Sequence, residues 1–137
     1  YEKSKILIDG LMINSVSGGG HFGGGLLINS MDHARFGLLF LRNGMWNDKI
    51  ILNPEWIELI QQPSENNESY GYMWWLNKGE RKWDGLSENI FYGAGFGGNY
   101  LVIVPEYNLV IVVRWIDSSK IGDFVKKIVD SEIDSTP

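Results

Sequence analysis

Phe91-Tyr-Gly-Ala-Gly-Phe-Gly-Gly-Asn-Tyr-Leu-Val-Ile-Val-Pro-Glu-Tyr-Asn-Leu-Val-Ile-Val-Val-Arg-Trp115 is the most apolar and most β-branched stretch of the chain, broken only at Pro105-Glu-Tyr-Asn108. Branched and aromatic side chains fit a pleated surface, so the stretch reads as a β-hairpin. Its arms, Tyr100 to Val104 and Leu109 to Val113, show no polar alternation. Both faces are therefore expected to be covered, with the hairpin inside a sheet and helices against it.

The first arm is entered through Gly93-Ala94-Gly95-Phe96-Gly97-Gly98, four glycines in six positions. Glycine forgoes side-chain packing and loses the most backbone entropy on folding. Two explanations stand open. One is a bulge or a tight crossing of two backbones; the other is bare backbone N–H groups presented to a ligand or a developing oxyanion. The letters also fit Gly-x-Gly-x-x-Gly, but a dinucleotide fingerprint opens a helix after a strand, and here a β-branched strand follows.

Working outward, Ile6-Leu-Ile8 and Leu11-Met-Ile13 flank Asp9-Gly10, a strong short-range hairpin signal. Residues 17–25 hold six glycines around His21 and Phe22, which a plain linker would not need. Asn29 as N-cap, with Asp32 three residues on, predicts a helix to about Asn43, with Met31, Ala34, Leu38 and Leu41 on one stripe, Phe36 and Phe40 beside it, and Gly44 closing it. Asn53-Pro54 starts a second, short helix with Trp56, Leu59 and Ile60 inward. Tyr70-Gly-Tyr-Met-Trp-Trp-Leu76 reads as one strand, its glycine marking close backbone approach. Residues 77–89 read as a charged surface excursion. After the hairpin, Ser118 or Ser119 caps a last helix whose Ile121, Phe124, Val125, Ile128 and Val129 keep amphipathic spacing. The fold class is α+β, an antiparallel β-sheet flanked by helices.

With 137 residues the chain has the size of one domain or part of one. Its net charge of −5 carries no basic stripe, which argues against nucleic acid or an anionic membrane as partner. No apolar run approaches the roughly 20 residues of a membrane span, and the N-terminus lacks a signal-peptide pattern. The absence of cysteine excludes disulfides, thiolate zinc sites and a cysteine nucleophile.

Candidate chemistry is thin. His21 and His33 lack the acidic partners of a metal site, and no cofactor is expected. His33 reads as an ordinary helix residue, whereas His21, held among glycines, suits a hydrogen-bonding group at a cleft. Asp32 and Arg35, one turn apart, suit a cap and an ion pair. Trp74, Trp75, Trp83 and Trp115 could form a sugar platform, though aromatics in apolar strands are usually core. No serine has lysine three residues on, so the Ser-x-x-Lys nucleophile motif is absent.

The order of the pieces adds what no single piece carries. A glycine-rich loop, then Asn29-Ser-Met-Asp-His-Ala-Arg-Phe-Gly37, Leu41-Arg-Asn-Gly-Met-Trp-Asn47, Ile51-Leu-Asn-Pro-Glu-Trp-Ile57, Tyr70-Gly-Tyr-Met-Trp-Trp75 and the glycine elbow with its hairpin resemble the C-terminal part of serine hydrolases related to class C β-lactamases. That group includes penicillin-binding D-Ala-D-Ala carboxypeptidases, esterases and aminohexanoate-oligomer hydrolases. The resemblance covers residues 17–115. It implies that residues 1–137 form the C-terminal part of a bacterial, β-lactamase-like α/β domain, with Ser-x-x-Lys and Tyr-x-Asn in a missing N-terminal part. It also implies a small-molecule ester or amide substrate and favours the cell envelope or extracytoplasmic space.

By the same resemblance Gly93-Ala94-Gly95 matches the family's Lys/His-Thr/Ser-Gly motif. The Phe96 N–H would then be one oxyanion donor, with Gly95 allowing the approach. Gly93, Ala94, His21 and Phe22 would border the substrate. The basic and hydroxyl side chains that hold a substrate carboxylate in penicillin-recognising members are missing at Gly93-Ala94, which points away from β-lactamase activity and toward an esterase or amidase. The rival expectation is a non-catalytic ligand-binding domain or degenerate relative using the aromatic and glycine-rich face.

Overall fold

Strands β8 (Asn99–Val104) and β9 (Leu109–Val113) are the two arms of the expected hairpin, paired antiparallel with Val102 opposite Ile111. In this computed structural model, which describes residues 3–8, 11–16 and 28–134, a single 3-10 turn at Pro105–Tyr107 joins them, closed by Asn108 in left-handed backbone. The hairpin extends into a five-stranded antiparallel sheet in the order β5-β6-β7-β8-β9, from β5 (Tyr70–Gly71) and β6 (Trp74–Leu76) through β7 (Phe91–Gly95). Only β8 is interior to that sheet. Among the described residues β9 is its last strand.

Burial explains the missing polar alternation. Leu101 and Ile103 of β8 join Trp74, Leu76 and Phe91 against Phe40, Ile57 and Ile60 on one face. Tyr100, Val102 and Val104 join Ile90, Tyr92 and Ile111 against Ile121, Val125 and Val129 on the other. Helices α1 (Ser30–Leu41) and α2 (Pro54–Leu59) supply the first layer and α3 (Ile121–Asp134) the second. Each fully buried branched side chain contributes about 1.5 to 3 kcal/mol, so β8 anchors the domain. The expected α+β class with helices flanking an antiparallel sheet is found. Strands β1 (Lys3–Ile8) and β2 (Leu11–Val16) form the expected N-terminal hairpin, with Ile8 opposite Leu11. Among the described residues no helix is long and apolar enough to cross a membrane.

Helix α1 begins as expected. Asn29 Oδ1 accepts the Asp32 N–H at 2.8 Å, Asn29 Nδ2 donates to Asp32 Oδ2 at 2.6 Å, and Arg35 donates to Asp32 Oδ1 at 2.7 Å. Asp32 is fully buried, and those bonds together with the positive helix terminus compensate its charge.

Other expectations need correction. Met31 and Phe36 are exposed, because α1 turns Gly37 and Phe40 toward the sheet. In α2 the inward residues are Ile57 and Ile60, while Trp56 and Leu59 stay largely exposed; Trp56 packs edge-on against Tyr72. Residues 70–76 are two strands joined by a tight turn at Tyr72-Met73, both in left-handed backbone. Gly71 does mark a close approach, since a Cβ there would lie 2.0 Å from the Gln62 carbonyl oxygen. Two-residue strands β3 (Met45–Trp46) and β4 (Lys49–Ile50) frame the Asn47-Asp48 turn. Neither Ser118 nor Ser119 caps α3; they lie in a turn where Asp117 accepts from the Ser119 N–H and Oγ, and the helix begins at Ile121. The excursion over 77–89 is organised from within. Buried Asn77 donates to the Ser87 carbonyl at 2.8 Å and accepts the Trp83 N–H at 2.6 Å.

Candidate functional site

The glycine elbow divides into two parts. Gly93, Ala94 and Gly95 belong to β7, paired with Leu101, Tyr100 and Asn99, while Phe96, Gly97 and Gly98 form the turn into β8. This is strand-turn-strand, so the dinucleotide fingerprint stays rejected. Side chains alternate along a strand, so Gly93 and Gly95 share the face of Phe91, toward α1.

On that face lies a cleft of about 590 Å³. This is within the roughly 300 to 1,000 Å³ usual for small-molecule sites. Gly93, Ala94, Gly95 and Phe96 line one wall; Phe36, Met73 and Trp74 add apolar surface; His33, Asn99 and Arg114 add polar groups. A Cβ at Gly93 would meet nothing within 4 Å, and one at Gly95 would make only ordinary 3.6 Å contacts with Asn99. Neither glycine has a positive φ. Packing and torsion do not require them.

The turn is different. Gly97 and Gly98 both have positive φ, and Cβ atoms there would lie 2.5 Å from the Trp115 ring and 1.8 Å from the Ile116 carbonyl oxygen. The Ile116 N–H donates to the Gly98 carbonyl at 3.1 Å. Asn99 Nδ2 donates to the Phe96 carbonyl at 2.7 Å. These contacts staple the turn and fix the Phe96 backbone, whose side chain is fully exposed. No backbone hydrogen bond from the Phe96 N–H forms among the described residues.

His33 and Arg114 meet at the cleft across 81 residues of sequence. An Arg114 terminal nitrogen lies 3.2 Å from His33 Nδ1 and donates to the Ile28 carbonyl at 3.3 Å, while its Nε donates to Ser30 Oγ at 3.4 Å. A guanidinium only donates, so His33 Nδ1 accepts and the neutral ring carries its proton on Nε2. Burial, and secondarily the Arg114 charge, hold the His33 imidazole below its ordinary pKa of 6.5. His33, expected as an ordinary helix residue, thus belongs to the cleft. Arg114 had one readable signal, a lone charge directly after the apolar run of β9.

Of the other candidates, His21 and Phe22 lie outside the described residues. The tryptophans form no common platform. Trp74 is buried against Phe40 and Phe91, Trp75 carries Arg81 over its ring, Trp83 stacks on Tyr92, and Trp115 covers Gly97.

No family model matches the chain. Among curated proteins it is similar to an uncharacterized protein of Alkalihalophilus pseudofirmus, 29% identical over 97 residues, which cover 64% of this chain and 29% of that protein. Among solved structures it is similar to a Bacillus anthracis protein provisionally assigned as a 6-aminohexanoate-dimer hydrolase, with 29% identity and a TM-score of 0.61, covering 79% of this chain and 29% of that one. The likeness is to a β-lactamase-like hydrolase. The chain spans less than a third of the length of either relative.

Proposed function

We propose that this chain is the C-terminal part of a β-lactamase-like serine hydrolase that cleaves ester or amide bonds through an acyl-enzyme, and that it forms the sheet wall of the catalytic cleft. One observation carries the proposal. The inner face of β7 is bare at Gly93 and Gly95 although neither packing nor torsion demands glycine there, and it borders a cleft of small-molecule size. Likeness to a β-lactamase-like hydrolase supports the same reading.

Attack on a carbonyl turns its oxygen into an oxyanion, and fixed N–H donors about 2.7 to 3.1 Å away stabilise that charge most where water is excluded. The Phe96 N–H is the donor this chain supplies, its backbone held by the stapled turn. Gly95 lets the carbonyl approach the strand. Gly93 and Ala94 border the rest of the substrate, with His21 and Phe22 at the rim. The upstream part of the protein brings the nucleophilic serine, its base and the second donor. Gly93-Ala94 lacks the cation and hydroxyl that would hold a β-lactam carboxylate at that strand, so the substrate is an ester or amide of another kind.

A serine-directed fluorophosphonate tests this directly. The full-length protein should be labelled at one serine outside residues 1–137, and the isolated chain should not be labelled, because acylation requires an activated nucleophile. The labelled protein should hydrolyse short p-nitrophenyl esters faster than a chromogenic cephalosporin. Labelling at a serine within these 137 residues, or none in the full-length protein, would refute the proposal.

A further inference from the structure

Arg114 is more than a strap between β9 and the start of α1. Its Nε and one terminal nitrogen hold the Ile28 carbonyl, Ser30 Oγ and His33 Nδ1, all of them neutral acceptors. The second terminal nitrogen has no partner, and no carboxylate pairs with Arg114 among the described residues. In a chain of net charge −5, a half-buried guanidinium without a counter-ion, lining a cleft, is an unusual arrangement. A guanidinium presents donors in a fork that matches a carboxylate, and a charge-assisted bond of that kind is about twice as strong as a neutral one.

Register defines where such a group would bind. Tyr100 pairs with Val113, so Arg114 lies one residue beyond, opposite Asn99, which itself pairs with Gly95. Gly95, Asn99 and Arg114 form a row across three strands, roughly 10 Å from end to end at the usual strand spacing. Phe36 and Trp74 offer apolar surface in the same cleft. A carboxylate on Arg114 would therefore lie several atoms from a carbonyl held at Phe96, further than a compact bicyclic substrate reaches.

We propose that Arg114 is the anion subsite of this cleft, selecting linear ester or amide substrates that carry a carboxylate several carbons from the scissile carbonyl. As a statement about substrate, this rests on the hydrolase reading; as a binding site it can be tested alone. The full-length protein is titrated calorimetrically with hexanoate and with hexanamide, which differ in charge and hardly in shape. Hexanoate should bind at least about ten-fold more tightly, and Arg114→Gln should abolish the difference. Asn99→Asp, which places a fixed carboxylate beside Arg114, should also abolish it while hexanamide binding persists, and it decides the matter if Arg114→Gln does not fold. Equal binding of the two ligands by the unmodified protein, or a preference for hexanoate that survives Asn99→Asp, would overturn the subsite. Fluorophosphonate labelling of the same preparation separates the two proposals. A protein that prefers hexanoate but is not labelled keeps the subsite and loses the hydrolase; one that is labelled without the preference does the reverse.

Discussion

A methyl group added at Gly98 would lie 1.8 Å from the Ile116 carbonyl oxygen, whereas one added at Gly93, five residues earlier in the same glycine run, would meet no atom within 4 Å. Gly98 also holds a φ of +76°, while Gly93 has no positive φ. The fold therefore dictates glycine at the turn and leaves it optional on the strand. A residue that loses entropy on folding, yet is not required by the fold, points to something outside the fold that needs the space. On β7 that is the cleft.

Substitutions can break this contrast. The largest effect is expected for Gly98→Ala. Left-handed backbone costs a non-glycine residue about 1 to 2 kcal/mol, and the clash with a backbone carbonyl raises the total above about 3 kcal/mol. That is a large share of a typical stability of about 5 to 15 kcal/mol. Urea unfolding should show it as a marked fall in midpoint, and a normal midpoint would mean that the turn is not stapled as described. Gly97→Ala should be milder, since the Trp115 ring that blocks it is exposed and can swing away. Gly93→Ala should leave the midpoint unchanged or raise stability by up to about 1 kcal/mol, because alanine narrows the unfolded ensemble and its methyl finds open space. A loss greater than 1 kcal/mol at Gly93 would erase the distinction.

The cleft can also be probed without touching a glycine. The His33 pKa is lowered in the folded state, so above the ordinary value of 6.5 the ring is neutral both folded and unfolded and favours neither. As pH falls below 6.5 the unfolded chain binds a proton that the folded chain resists, and stability declines until the folded pKa is passed. His33→Gln should flatten that part of the stability profile. An unchanged slope in the variant would mean that His33 is not held neutral beside Arg114.

How much of this was legible in the sequence follows from how local each feature is. The arms of β8 and β9 and the Asn29 cap are written in neighbouring residues and were readable. The phase of α2 was not, because whether Trp56 or Ile57 turns inward depends on how six residues lie on the sheet. The Tyr72-Met73 turn was hidden because bulky residues rarely adopt left-handed backbone, and no glycine marks it. His33 and Arg114 become partners only through the fold. The glycine run was visible as a feature, but its two halves consist of the same residue. Only the neighbours that a Cβ would meet tell them apart.

The most direct measurement is Gly95→Val in the full-length protein, with thermal melting and p-nitrophenyl ester kinetics on one preparation. If Gly95 lets the substrate carbonyl reach the Phe96 N–H, the catalytic rate should fall by roughly 100-fold or more, the usual scale for losing one oxyanion donor. Because a Cβ at this position makes only ordinary contacts, the melting temperature should stay within a few degrees of the unmodified protein. A variant that loses stability first, with activity falling only in step with the folded fraction, or one that melts normally and keeps its rate, would contradict the assignment of β7 to the catalytic cleft.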